Sequence, residues 1–385
     1  MSRPADGAMD CPMAETRTDF GTEITGQEEA ILRHVGYAEP RSRAATTILV
    51  DHDVRLATSE VDGVDVMAIQ DALMRFDWVQ DLMFSLIEPD ENELLRQAAE
   101  LLHDPIGHFT YVHPGVKLSA PIQTFTVMER PQERQFTHNI TVIGEGADVE
   151  MISGAAVPAR VHAGHHVSID ETFVREGARC RSIGIESWGN RMLVDAYARA
   201  KISAGAEVIS NQIMLSAIKH HRSETRTHVG EGAVCNEQAI LFAPAGTERI
   251  FNSETFLTAE GARSESIARM VSAGGKITNN ALLIGQSPGT NGFLGCDGLL
   301  LSSDGEIQAT PALRAESAEA LLSHEASVGM IDKEKLAYLM ASGFDEDTAR
   351  DLIVQGFLSL KDDYIPDGLR DQVTAMIASA QSGGM

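Results

Sequence analysis

Through the middle of the chain, short apolar or alternating runs recur behind one small turn signature. The signature is Gly-Ala, at Gly146-Ala147, Gly177-Ala178, Gly205-Ala206, Gly232-Ala233 and Gly261-Ala262, with successive spacings of 31, 28, 27 and 29 residues. Behind these turns come Val149–Ile152, Cys180–Ile185, Val208–Leu215, Cys235–Phe242 and Ile267–Val271. A fixed period of this size marks a solenoid: no repeat buries its inward residues alone, so coils stack over one continuous core. Helical repeats of similar length would need apolar residues at 3.6 spacing over ten or more positions. These runs are short, β-rich and cut by glycine. The pattern predicts a mainly β protein with a stacked β-solenoid over residues 105–310, the glycine supplying turn geometry and the alanine fitting a crowded corner.

The flanks read differently. Residues 1–20 read as a flexible tail, and 21–104 as a mostly helical region. Thr25 and Glu28 form a potential capping box. Val66–Met74 and Glu91–Leu102 look helical, while Thr46, Ile48 and Val50 alternate like a strand. Residues 311–385 revert to helix: Asp332 can cap Lys333–Ser342, Gly343 stops it, and Asp345 can cap a helix through Ala349, Leu352, Ile353 and Phe357. A third helix is expected from about Gly368 to Ala380. On residue pattern alone, such tandem helices favour local packing over a docking role.

Charge narrows the partners. The chain has 385 residues, with 56 acidic against 31 basic side chains and a formal net charge of −25. With no Lys/Arg run it lacks the basic footprint of a nucleic-acid binder, and the acidic surface repels phosphate backbones and anionic lipid. Cys11, Cys180, Cys235 and Cys296 lie far apart with no CxxC pair, which fits a reducing compartment. No apolar h-region opens the chain and no run reaches transmembrane length, so a cytoplasmic protein is expected.

Familiar enzyme signatures are missing. There is no phosphate-binding GxxxxGK[ST], no HExxH and no GxGxxG at a strand–helix junction, so any ATP dependence has to come from a partner. Gly285-Gln286-Ser287-Pro288-Gly289 matches GxSxG formally. The oxyanion donor would be Pro288, which has no N–H, so a solenoid turn is favoured. His162, His165, His166, His220 and His221 have side chains that can bind transition metals. Adjacent strand residues face opposite ways, so only one of His165 and His166 can face a given side, and structural histidines are favoured. Cys180 and Cys235 sit within apolar runs and read as buried structural thiols.

Cys296 differs. It lies in Gly292-Phe293-Leu294-Gly295-Cys296-Asp297, just before Leu299–Leu301, and Ser323-His324-Glu325-Ala326-Ser327 follows about 28 residues later. If that interval is one more coil, a thiolate, an imidazole and a carboxylate share neighbouring rungs. Thiolate is the soft ligand iron–sulfur chemistry prefers, and imidazole can replace it at iron.

The run Cys296-Asp297-Gly298-Leu299-Leu300-Leu301, then Pro311, then His324-Glu325-Ala326-Ser327-Val328-Gly329 resembles the C-terminal signature of the SufB/SufD family. Leu336-Ala337-Tyr338-Leu339, Gly343, and Ala349 through Val354-Gln355-Gly356-Phe357 continue it. Upstream, His113-Pro114-Gly115-Val116, Pro121-Ile122-Gln123 and Asn139-Ile140 before Gly144 match the start of the family's central domain. The resemblance covers roughly 105–360.

It implies a right-handed parallel β-helix with α-helical N- and C-terminal regions, acting as a scaffold for iron–sulfur cluster assembly. Members work with SufC, an ABC-type ATPase, so ATP is used only through that partner. The docking surface it implies runs over Lys333, Leu336, Tyr338, Leu339, Ala349, Leu352, Ile353 and Phe357. Cys296 with His324-Glu325-Ala326 is SufB-like, whereas SufD-like chains lack that cysteine and read His-Gly-Ala. By resemblance Cys296 is the sulfur acceptor and cluster ligand, with His324 and Glu325 as further ligands or proton managers. The chain lacks the Cys-rich N-terminal motif of many longer SufB proteins. A transient cluster, a sulfur-donor protein, a homodimer or a SufD-like partner, and the reduced flavin associated with the wider family complete the expectation. The alternatives are a SufD-like adaptor that ligates no cluster, and a β-solenoid carbohydrate-active enzyme, which the missing export signal disfavours.

Overall fold

Each Gly-Ala signature becomes a corner at which the chain passes from one sheet to the other. Gly146, Gly177, Gly205, Gly232 and Gly261 adopt φ between 59° and 71°, where a Cβ is strained. Their N–H groups bond from turn to turn, Gly177 to the Ala204 carbonyl (2.9 Å) and Gly205 to that of Glu231 (2.8 Å). The following alanines, Ala147, Ala178, Ala206, Ala233 and Ala262, are all at most 1% exposed and share one apolar cluster.

The computed structural model describes residues 24–37 and 43–358. The expected tail over 1–20 and the helix near 368–380 lie outside them. The first segment is α1 (Gly26–Arg33), β1 (Ala45–Val50), β2 (Asp53–Ser59), β3 (Val64–Ala68), α2 (Ile69–Arg75) and α3 (Glu93–Glu100). Then come β4 (His108–Val112), β5 (Ile122–Val127), β6 (Gln135–Ile143), β7 (Asp148–Ala156), β8 (Ala163–Val174) and β9 (Arg179–Ser187). The coils continue through β10 (Arg191–Ile202), β11 (Glu207–Met214), β12 (His220–Val229), β13 (Val234–Pro244) and β14 (Glu248–Leu257). They end with β15 (Arg263–Ala273), β16 (Lys276–Gly285), β17 (Asn291–Leu300), β18 (Glu306–Ala315) and β19 (Leu321–Met330). Helices α4 (Lys333–Ala341) and α5 (Glu346–Leu358) follow.

Two sheets result. One runs β19-β17-β15-β13-β11-β9-β7-β5-β1-β2, the other β18-β16-β14-β12-β10-β8-β6-β4-β3. Among the described residues the strands of the stack pair in parallel, and the antiparallel strand pairs are β1–β2 and β3–β4. This is the expected mainly β solenoid, of about eight turns, with helices at both ends.

Three details depart from the sequence reading. Residues 21–104 are not mostly helical, because β1, β2 and β3 join the two sheets. Val66–Met74 is strand as far as Ala68 and helix only from Ile69, since Val64 and Val66 alternate with Asp65 and pair with β4. The solenoid runs past residue 310, through β18 and β19 to Met330.

The caps form as read. Thr25 and Glu28 make a capping box, Asp332 accepts from Glu334 N, and Asp345 accepts from Thr348 N. The N-terminal segment is fastened to the second sheet by Glu171, which accepts from Phe84 N, Leu86 N and His138.

Candidate functional site

Alternation in β17 sets the direction of Cys296. Leu294 belongs to the cluster of corner alanines, and Cys296 packs with Met214, Leu241, Ala243, Met270 and with Ile277 of the opposing sheet. Leu299, of opposite parity, packs with Phe242, Val271 and the α5 residues Val354 and Leu358. Cys296 therefore faces the lumen between the sheets, 2% exposed, and α5 lies on the outside.

One polar group meets the thiol there. Asn279, on β16 across the lumen, donates from Nδ2 to Cys296 Sγ at 3.3 Å. Burial pushes the thiol up from its ordinary value, the Asn279 N–H pulls it down, and Asp297 adds to the rise. Cys180 and Cys235 are buried as well: burial pushes Cys180 up to about 12 and Cys235 well above its ordinary value, which fits structural thiols of low reactivity.

The neighbouring strand is β19, the last of its sheet. Its register sets Leu294 beside His324, Gly295 beside Glu325 and Cys296 beside Ala326. In a parallel pair, register partners point to the same face. His324 thus shares the lumen side with Cys296, two positions along, while Glu325 lies on the outer side, where Ser327 donates to Asp297 at 2.8 Å. A single chain does not bring thiolate, imidazole and carboxylate onto one face. His324, Glu325 and Ala326 are all exposed, because among the described residues no strand pairs with the outer edge of β19.

The residues expected to dock a partner fall on both sides of their helices. Helix α4 has no buried residue; Lys333 and Tyr338 are exposed, Tyr338 by 72%, and Leu336 and Leu339 are half-buried. On α5, Leu352 is exposed and Ile353 half-buried. Ala349 is buried and Phe357 packs against the outer cluster of the first sheet, so these two serve packing.

Of the five histidines named above, His162 is exposed and the other four have partners within the fold. His165 pairs outward with Asp195 (2.8 Å), while His166 is buried against Gln135 and Trp188. His220 pairs with Glu248, and His221 is buried beside Arg249. Among the described residues, no group of three or more His, Cys, Asp or Glu could hold a metal ion. Ser287 donates to the Thr258 carbonyl in a turn where Gly289 has φ 67°, as a solenoid corner requires. Asn279 was missed, although its place in the inward series Ile277, Asn279, Ala281, Leu283 marks it as a polar residue in an apolar file.

Residues 125–357, more than half the chain, match the family described as "SUF system FeS cluster assembly, SufBD core domain". An iron–sulfur cluster assembly SufBD family protein of Archaeoglobus fulgidus is 32% identical over 357 residues, covering 92% of this chain and 96% of the relative. The chain belongs to the SufBD family. A second member, from Methanothermobacter thermautotrophicus, is 29% identical over 360 residues, covering 92% of this chain and 88% of its own. The iron–sulfur cluster assembly protein SufB of Bacillus subtilis is 26% identical over 257 residues, 66% of this chain and 55% of that protein. The SufBD role is iron–sulfur cluster assembly, and among the described residues no helix is long and apolar enough to cross a membrane.

Proposed function

We propose that this chain is the scaffold subunit on which an iron–sulfur cluster is put together, with Cys296 as sulfur acceptor and His324 and Glu325 as further ligands at an interface between two copies. What supports this is a terminal rung that no strand covers among the described residues. Strands β18 and β19 end both sheets, every residue of β19 except Leu322 is exposed, and the thiol lies one strand inside that edge. Unpaired edge strands invite pairing with another chain. A second copy, or a SufD-like chain, closes the rung and sets two such ends face to face.

The chemistry follows from the residues. The Cys296 thiolate attacks the outer sulfur of a persulfide on a donor protein: a new S–S bond forms, the donor's S–S bond breaks, and the electron pair leaves on the donor thiolate. No net oxidation occurs. Iron, as the second substrate, is held by thiolate, imidazole and carboxylate, and two copies supply the ligands one chain is short of. A SufC-type ATPase docks on the exposed side of α4 and α5, through Lys333, Leu336, Tyr338, Leu339, Leu352 and Ile353, and hydrolyses the ATP.

The test is anaerobic reconstitution of Cys296→Ala. The variant stays folded, with a somewhat lower melting temperature because the buried Asn279 amide loses its partner, and loses visible absorbance, iron and sulfide. Normal reconstitution contradicts the assignment and leaves the adaptor role.

A further inference from the structure

The Cys296 sulfur sits in a wall of Met214, Leu241, Ala243, Met270 and Ile277, none of which can donate a hydrogen bond through its side chain. A lone thiol in such a wall is free to turn between rotamers, and its negative charge during sulfur transfer meets no dipole. The structure supplies one exception. The Asn279 amide reaches across from the opposite sheet to Sγ, and Asn279 is itself 5% exposed. Among the described residues that N–H···S contact is the only side-chain hydrogen bond made by either partner. A buried amide that spends its donor on a sulfur forgoes a stronger oxygen acceptor.

We propose that Asn279 is a positioning residue for sulfur transfer, its carboxamide N–H holding the Cys296 sulfur in one orientation within the lumen and meeting the charge that sulfur carries as it attacks. This rests on the reading of Cys296 as sulfur acceptor. The amide touches neither donor nor iron; it acts through the thiol. Register supports the geometry: Asn279 pairs with Ala309 and Cys296 with Ala326, so on both sheets the terminal rung places only a methyl over this pair. The sulfur thus has a narrow approach from the open end, and a fixed orientation decides whether it faces that approach.

The experiment uses the full-length chain, glutathione persulfide as sulfur donor and peptide-resolved mass spectrometry, with Cys235 as internal reference. Asn279→Leu keeps volume without a donor, Asn279→Asp keeps shape but sets a carboxylate against the sulfur, and Asn279→Gln keeps a donating amide. Melting temperatures are recorded in parallel. The expected result is about a ten-fold lower maximal rate of persulfide formation at Cys296 in Asn279→Leu, the size of one lost charge-assisted hydrogen bond. Half-saturating donor concentration stays unchanged, Asn279→Asp is slower still, and Asn279→Gln recovers part of the rate. Unchanged maximal rates in Asn279→Leu and Asn279→Asp, with or without a lower melting temperature, overturn the proposal and leave Asn279 a packing residue. Absence of sulfur uptake at Cys296 in the unsubstituted chain overturns the acceptor reading itself.

Discussion

Ala326 is the smallest chiral side chain available at the position beside Cys296, and it is exposed where the thiol is not. Enlarging it closes the approach from the open end without touching the sulfur. Ala326→Leu should therefore slow alkylation of Cys296 by iodoacetamide roughly ten-fold, with melting temperature within a few degrees, since an exposed substitution costs about 0.5 kcal/mol or less. An unchanged alkylation rate would place the route to the thiol elsewhere. A second residue-scale consequence concerns acid. Burial pushes His108 down to about 4 and His166 down to about 3, so both rings stay neutral in the folded chain. The unfolded chain protonates them below about pH 6.5, so their stabilising contribution is present above that pH and lost as pH falls toward the folded values. At pH 5 the loss is about 2 kcal/mol for each ring. Burial raises the carboxyls of Asp170, Glu186 and Glu237, which work in the opposite direction, so the comparison with a variant isolates the histidine. His166→Gln, which can still bond Gln135, should show a smaller fall in melting temperature between pH 7.5 and 5 than the unsubstituted chain.

The corner turn is the element that repeats, and its cost can be measured one glycine at a time. At Gly205 an added Cβ meets nothing within 4 Å, so Gly205→Ala pays only for φ of 65°, about 1 kcal/mol. At Gly107 the Cβ would strike the His138 carbonyl, and Gly107→Ala should lower the denaturation midpoint further. These corners are also what made the fold legible. Gly-Ala at near-constant spacing gave the repeat, and Val208–Leu215 and Cys235–Phe242 marked strands of the first sheet because that sheet buries apolar residues on both faces. The second sheet was harder to see. Strand β12 reads His-His-Arg-Ser-Glu-Thr-Arg-Thr-His-Val, with a polar outer face and Ser and Thr turned inward, so hydropathy hides it. The last coil lost the Gly-Ala mark, and β18 and β19 bury little, which is why residues past 310 read as helix. At the site, sequence resemblance pointed to Cys296, His324 and Glu325, whereas the face each occupies needed the register of β17 against β19. On the C-terminal helices the same distinction matters for docking. Tyr338→Ala or Leu352→Ala should weaken binding to a SufC-type ATPase about ten-fold, 1.4 kcal/mol, without altering stability. Ala349→Glu should lower the melting temperature instead, because Ala349 is fully buried.

For the whole molecule, the two ends of the solenoid differ. Antiparallel pairs close the N-terminal end, β2 against β1 and β3 against β4, while at the C-terminal end the outer edges of β18 and β19 have no strand partner among the described residues, and Leu321, Val328 and Met330 are exposed there. Pairing two copies there brings together chains of formal charge −25 each, so their mutual repulsion falls with added salt and the dimer should tighten as ionic strength rises. Val328→Lys puts a like charge into that contact twice, by symmetry, and should leave a folded monomer. Cluster assembly at a two-copy interface is tested by anaerobic reconstitution with iron and sulfide, followed by size-exclusion chromatography with mass, iron and sulfide measured on each peak. Iron and sulfide are expected on the dimer of the unsubstituted chain, and on neither Val328→Lys nor Cys296→Ala. A cluster carried by the monomer, or retained without the Cys296 thiol, would contradict it.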